Sequence, residues 1–294
     1  MSMPAPPRPD SGAVLAQARS ENFPVASRLF PSELRQHLMN IYGFARMTDD
    51  LGDEASGDRL AQLDWLSEEL DAIYAGESAT HPLLRRLATT VGRYDLPREP
   101  FERLIAANRQ DQVVKRYATF DELRGYCHAS ADPIGELVLR LVGRCDDELL
   151  ALSSSTSTAL QLVEFLQDLG EDAAMGRIYV PLADLAAFGY GEAELLEGVV
   201  DERFRAVMAL QADRARLLFE QGRPLSRRLP GRVGLAVGLF TAGGLAALAD
   251  VRRRGFDTLS SSAHVPKRRL LWAAALELSG AAASRATRPR GGVT

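Results

Sequence analysis

Four aspartates in two pairs stand out as groups that can do chemistry: Asp49 with Asp53, and Asp168 with Asp172. Within each pair the spacing is four residues, which on a helix stacks both carboxylates on one face. Two such faces turned toward each other make a cluster of hard oxygen ligands. Mg²⁺ takes such ligands and shares them with substrate phosphates. The pairs therefore point to a diphosphate handled through metal ions. A solvated helix face has the same composition, so either pair read alone stays ambiguous.

Each pair extends into a longer stripe. Tyr42, Arg46, Asp49 and Asp53 follow one another at i, i+4, i+7 and i+11, beside an apolar stripe of Leu34, Leu38, Ile41 and Ala45. Gln161, Glu164, Asp168 and Asp172 repeat the design at i, i+3, i+7 and i+11, with Leu162, Phe165, Leu166 and Leu169 around them. Carboxylates set among apolar residues need paired charge, from Mg²⁺ or from arginine and lysine. A third segment, Tyr126-Cys127-His128-Ala129-Ser130-Ala131-Asp132-Pro133-Ile134-Gly135, places a proline inside a helical pattern and predicts a kink or break. A fourth, Gly176-Arg177-Ile178-Tyr179-Val180-Pro181, puts an arginine fork directly after the second acidic stripe. Arg177 there is either a phosphate contact or a solvated residue after a helix-ending glycine.

The elements that must position these residues read as helices almost throughout. Leu, Ala, Glu and Arg dominate, and period-2 alternation is nearly absent. A short helix is expected over 21–29, closed by Pro31, and a long one over 32–51. Further helices are expected over 58–75, 81–94, 98–115, 120–142, 146–175, 184–187, 192–222, 231–254 and 267–282. The stretch 146–175 divides in two if the six consecutive Ser/Thr residues 153–158 interrupt it. The expected organisation is a disordered tail over 1–14, one all-α domain over 15–280, and an Ala-, Arg- and Gly-rich disordered tail over 281–294.

Bulk properties narrow the function. The 294 residues are 46% hydrophobic, enough for a sizeable core. Thirty-five basic and 39 acidic residues leave a net charge of −4, which gives nucleic-acid binding no support. Two cysteines, Cys127 and Cys145, and four histidines without ligand spacing argue against a zinc site and a disulfide framework. They suit a reduced cytosolic interior. No secretory signal is read at the start. The uncharged run 233–249 is short for a bilayer span and rich in Gly and Ala, so a tightly packed core helix is expected there. The basic spots 252–254 and 285–290 read as solvated surface.

Taken in order, Glu21 to Ser27, Ile41-Tyr42-Gly43-Phe44-Ala45-Arg46, Asp49 to Asp53, Tyr126-Cys127, Gln161 to Asp172 and Gly176 to Pro181 resemble the squalene/phytoene synthase family. Within it the chain is similar to bacterial hopanoid-pathway hydroxysqualene synthases. The string Glu21–Ser27, the segment Ser130–Gly135 and the pair Gln167-Asp168 carry that likeness. The resemblance implies a class I isoprenoid-synthase fold, an all-α bundle around a central cavity with an aspartate-rich motif on each of two facing helices. It implies Mg²⁺ held by Asp49, Asp53, Asp168 and Asp172, with Glu164 as a fifth participant. It implies diphosphate contacts from Ser27, Arg46 and Arg177, and roles for Tyr42, Tyr126, Gln161 and Tyr179 around the cation and the diphosphate. Presqualene diphosphate ionises, the cation rearranges, and water quenches it to hydroxysqualene. A presqualene diphosphate synthase would act before it and a flavin-dependent reductase after it. The expected setting is cytoplasmic, with peripheral association at the inner face of the cell membrane left open. Three positions depart from the pattern. Glu164 stands where the family usually has Asn, Asp132 stands where the closest group has Asn, and His264 to Lys267 is a loose match. Two other readings stay open: head-to-head condensation of two prenyl diphosphates, and a non-catalytic lipid-binding or assembly protein of the same fold.

Overall fold

The computed structural model of the protein describes residues 30–259. Ser27, the helices expected over 21–29 and 267–282, both terminal tails, Lys267 and the basic spot 285–290 lie outside them. Within them every regular element is helical, and one isolated parallel bridge joins Arg116 to Ile178.

Helix α1 (Ser32–Asp49) passes directly into a π-helical turn, Asp50–Glu54. Helices α2 (Arg59–Tyr74), α3 (Pro82–Tyr94) and α4 (Glu99–Val113) follow. Then come α5 (Phe120–Ser130), α6 (Asp132–Leu141), α7 (Asp147–Gln167) and α8 (Leu169–Ala174). Two short helices, α9 (Leu182–Ala187) and α10 (Glu192–Leu196), lead to α11 (Glu202–Gly222), α12 (Leu225–Arg228) and α13 (Gly231–Arg253). Side-chain caps open several of them. Asp58, Asp146 and Asp201 accept from the amides of Ala61, Leu149 and Phe204. Each satisfies an amide that has no intrahelical partner, worth about 1 kcal/mol.

The breaks differ from the expected ones in informative ways. The stretch 120–142 divides at Ala131, with Pro133 in the first turn of α6, as its missing N–H predicts. The stretch 192–222 divides into α10 and α11. The stretch 146–175 also divides, but at Asp168 and not in the Ser/Thr run. Those hydroxyls are absorbed without breaking the helix. Ser155 and Thr156 donate back to the carbonyls of Ala151 and Leu152, and Ser154 and Thr158 donate across to buried Asp132.

Small residues set the helix spacing. A Cβ on Gly222 would lie 2.2 Å from Thr156 Oγ1, which brings α11 onto α7. One on Gly234 would lie 2.3 Å from the Ser226 carbonyl oxygen, which seats α13 against α12. Helices α7 and α13 are each long and apolar enough to cross a bilayer, yet 44% and 50% of their most apolar windows are buried inside the bundle. That matches the core helix expected over 233–249.

Two apolar clusters fill the interior. One gathers Phe44, Met47, Leu66, Leu84 and Phe101 from α1 to α4, together with part of α13. The other gathers Tyr126, Val163, Phe165, Tyr179, Phe204, Met208 and Phe219 around α5, α7 and α11. Each fully buried side chain of this size contributes about 1.5–3 kcal/mol.

Candidate active site

A cavity of about 260 Å³ opens at the seam between the two clusters. Asp49 and Asp53 enter it from the end of α1 and its π turn, and Leu104, Asn108 and Asp111 from α4. Tyr126 and Ser130 come from α5, and Gln161, Glu164 and Phe165 from α7. Asp168 sits at the joint between α7 and α8, Asp172 on α8, and Met175, Arg177 and Tyr179 on the segment after it.

The structure thus brings together nine of the twelve candidate residues: Tyr126, Gln161, Tyr179, Arg177, Asp49, Asp53, Glu164, Asp168 and Asp172. Tyr42 and Arg46 are not among the side chains that line this cavity. Arg46 pairs with Asp50 at 2.8 Å and with Glu54 at 2.7 Å, behind the acidic pair. The π turn explains how Asp49 and Asp53 are presented. Its wide ring closes with the Ala55 amide on the Asp50 carbonyl, an i→i+5 bond. Gly52 lies so close to α4 that a Cβ would meet Asn108 Oδ1 at 2.2 Å. Asn108 Nδ2 in turn donates to Asp49 Oδ1 at 3.1 Å, and Arg59 donates to the Asp53 carbonyl at 2.8 Å.

Four lining residues escaped the sequence reading: Met175 after α8, and on α4 Leu104, Asn108 and Asp111, spaced i, i+4 and i+7. The spacing rule applied to α1 and α7 sets the three α4 residues on one face, but a single acid there does not make the paired carboxylates that mark the other two stripes.

Six acidic side chains and one arginine line the cavity, so negative charge dominates it. Arg177 is buried and pairs with Asp53. That partner holds the guanidinium protonated against the desolvation that opposes its charge. Asp172 is pushed up to about 7 by burial and by the neighbouring charge of Asp168. Asp49 is pushed up to about 7 by the walls that enclose it, against the pull of the Asn108 amide. It still meets cavity water, which tempers that push.

Both groups bind protons more tightly in the folded chain than in the unfolded one. Between the ordinary carboxylate range and about pH 7 the folded state is therefore the more protonated, and stability falls as pH rises through that window. In chelator, wild type is expected to gain stability from about pH 7 to about pH 5, and the Asp49→Asn/Asp172→Asn variant to gain less. Urea unfolding at several pH values measures the difference.

The donor set fits a hard divalent cation. Its acidic ligands are all oxygen, and among the described lining residues six acids face one arginine. Among the described residues no three Asp, Glu, His or Cys converge tightly enough to enclose an ion alone. An ion held by one or two carboxylates, with waters and substrate phosphates completing the shell, needs no such cage.

Comparison with known proteins agrees with this arrangement. The squalene/phytoene synthase family pattern matches residues 16–269. A phytoene synthase of Arthrospira platensis is 36% identical over 266 residues, 84% of this chain and 84% of that protein. A 15-cis-phytoene synthase of Synechococcus elongatus is 33% identical over 270 residues, 86% of each. The crystal structure of the squalene synthase HpnC from Alicyclobacillus acidocaldarius is 45% identical, with a TM-score of 0.79 over 84% of this chain and 95% of that one. A dehydrosqualene synthase structure, 23% identical, shares the fold with a TM-score of 0.85 over 93% and 96% of the two chains. The bundle is the class I isoprenoid-synthase fold, whose members in this group process prenyl diphosphates with a divalent metal. With the pattern matched across most of its length and the acidic helices facing one cavity, the chain belongs to the squalene/phytoene synthase family.

Proposed function

We propose that the protein converts presqualene diphosphate to hydroxysqualene, with loss of diphosphate, in a Mg²⁺-dependent reaction. The observation that carries this reading is the cavity itself, where six acids and one arginine share a chamber with Tyr126, Phe165, Tyr179 and Leu104. The charged set suits a diphosphate with its ions, and the aromatic and aliphatic set suits a carbocation and its isoprenoid chain. The 45% identity to the squalene synthase HpnC favours a squalene-type over a phytoene-type product, and Gln167 before Asp168 and the segment Ser130–Gly135 carry the likeness to hydroxysqualene synthases.

Asp49, Asp53, Asp168 and Asp172 would hold Mg²⁺ directly or through water, with Glu164 beside them. When bound, Mg²⁺ supplies Lewis-acid neutralisation of the leaving group's charge. Arg177 donates its fork to the diphosphate oxygens, with Ser27 as a further contact, while Arg46 stays paired with Asp50 and Glu54 behind the acidic pair. The cyclopropylcarbinyl carbon–oxygen bond breaks with its electron pair leaving on the diphosphate, and the cyclopropylcarbinyl cation rearranges. Tyr126 and Tyr179 face the cation with their rings, Tyr42 from farther out, while Phe165 and Leu104 keep bulk water away. Gln161, whose amide reaches Glu164 at 3.1 Å, orients the water that adds to the rearranged cation and then loses a proton. The reaction class needs a presqualene diphosphate synthase upstream and a flavin-dependent reductase downstream. An apolar substrate and product suit a cytoplasmic protein that works beside the inner face of the membrane.

Condensation of two prenyl diphosphates is the second reading, favoured by the phytoene synthases among the relatives. A substrate panel with product mass spectrometry, run with and without NADPH and with a chelator, decides between them. Hydroxysqualene from presqualene diphosphate, abolished by chelator and indifferent to NADPH, is the expected result. Squalene formed only with NADPH, or phytoene from a C20 diphosphate, overturns the assignment.

A further inference from the structure

Asp111 is a buried acid in a wall of aromatic rings, facing the same cavity as the proposed metal ligands. Each of its carboxylate oxygens accepts from a different phenol: Oδ2 from Tyr126, and Oδ1 from Tyr179 at 3.2 Å. Around this fork the rings stack on one another. Phe165 lies 4.0 Å from Tyr179, centroid to centroid, at 8° between planes. Tyr126 is 5.6 Å from Tyr179, and Tyr117 stands 5.5 Å and 5.8 Å from the two. Lys115 ties the Asp111 carbonyl at the end of α4.

Burying a carboxylate among rings costs the fold, and phenylalanines at 126 and 179 would remove the need for it. Both hydroxyl protons point at Asp111, so neither phenol is free to hand one to a substrate. Burial also raises both phenols far above their ordinary range, which rules them out as bases. A phenol that donates to a carboxylate becomes richer in electrons, and its ring attracts a cation more strongly.

We propose that Asp111 is a positioning residue, whose carboxylate holds Tyr126 and Tyr179 as paired donors so that two fixed, electron-rich rings face the carbocation. The inference rests on the cavity being the place where diphosphate leaves. It requires that Asp111 act through the two tyrosines and nothing else. Asn at 111 keeps the size but offers one acceptor and one donor, so one phenol loses its place.

The test is a mutant cycle on whichever prenyl diphosphate the wild type consumes. Asp111→Asn is expected to lower kcat roughly tenfold to a hundredfold with little change in KM, and to increase prematurely quenched alcohols. In a Tyr126→Phe/Tyr179→Phe background the same change is expected to cost less than about twofold. Equal losses in both backgrounds overturn the proposal. So does wild-type kcat in the Tyr126→Phe/Tyr179→Phe protein, a result that needs no folded Asp111 variant. Ultraviolet resonance Raman of the ligand-free protein reads the same contact without turnover. The donor signature is expected to fall by one tyrosine in Asp111→Asn, and an undiminished signature overturns the proposal. A wild type that ignores presqualene diphosphate but joins two prenyl diphosphates fails the substrate assignment alone, and the cycle then runs on that substrate.

Discussion

Asp49→Asn/Asp168→Asn is expected to lose at least about a thousandfold in kcat/KM while remaining folded. The two residues come from opposite sequence motifs and meet at one cavity, so the change strips a carboxylate from each half of the proposed ion site. An amide keeps the shape and one oxygen but removes the charge that would hold a hard cation. The same charge is crowded without the cation, because Asp53 and Asp50 stand beside Asp49. Steady-state kinetics with increasing Mg²⁺, alongside thermal melts in chelator, measures both effects. The expected pattern is collapsed activity, no rescue by metal, and a melting temperature in chelator at or above that of wild type. Wild-type turnover in this variant would sink the metal scheme.

The second large effect is expected at Arg177. It is the one arginine among the lining residues, buried, with its guanidinium against Asp53. Arg177→Gln is expected to lower kcat/KM about a hundredfold and to weaken inhibition by inorganic diphosphate in step. Asp53 is left without this partner, but its side chain is 42% exposed, so water takes over and the fold pays little. Arg177→Lys restores charge without the planar fork and is expected to recover only a part of the loss. Inhibition by diphosphate unchanged from wild type in Arg177→Gln would show that the arginine serves Asp53 alone.

The helical class and the two acidic faces were legible because both rest on period. Apolar residues recur at helical spacing, and the stripes 42–53 and 161–172 follow the same rule. What stayed hidden depends on contacts between elements. The π turn at Asp50–Glu54 forms where Gly52 presses on Asn108 and Gln112 takes the Gly52 carbonyl at 3.0 Å, neither of which a local pattern reveals. The Ser/Thr run 153–158 suggested an interruption, yet its hydroxyls find partners on the preceding turn and on Asp132. Asp111 was missed because one acid near a helix end carries no signal until the fold sets two tyrosines beside it. Arg177 was legible as a candidate, but its alternative as a solvated residue fell only with its burial against Asp53.

The break at Asp168 has a mechanical side. Its backbone, at φ −101° and ψ 9°, closes one helix and opens the next, so this acid sits on a joint and not on a beam. Beyond the joint, Asp172 and Arg177 travel together, tied by the Arg177 amide on the Asp172 carbonyl at 2.8 Å. The joint therefore sets the direction of the short helix, and with it where Asp172 and the backbone of Arg177 stand relative to α7.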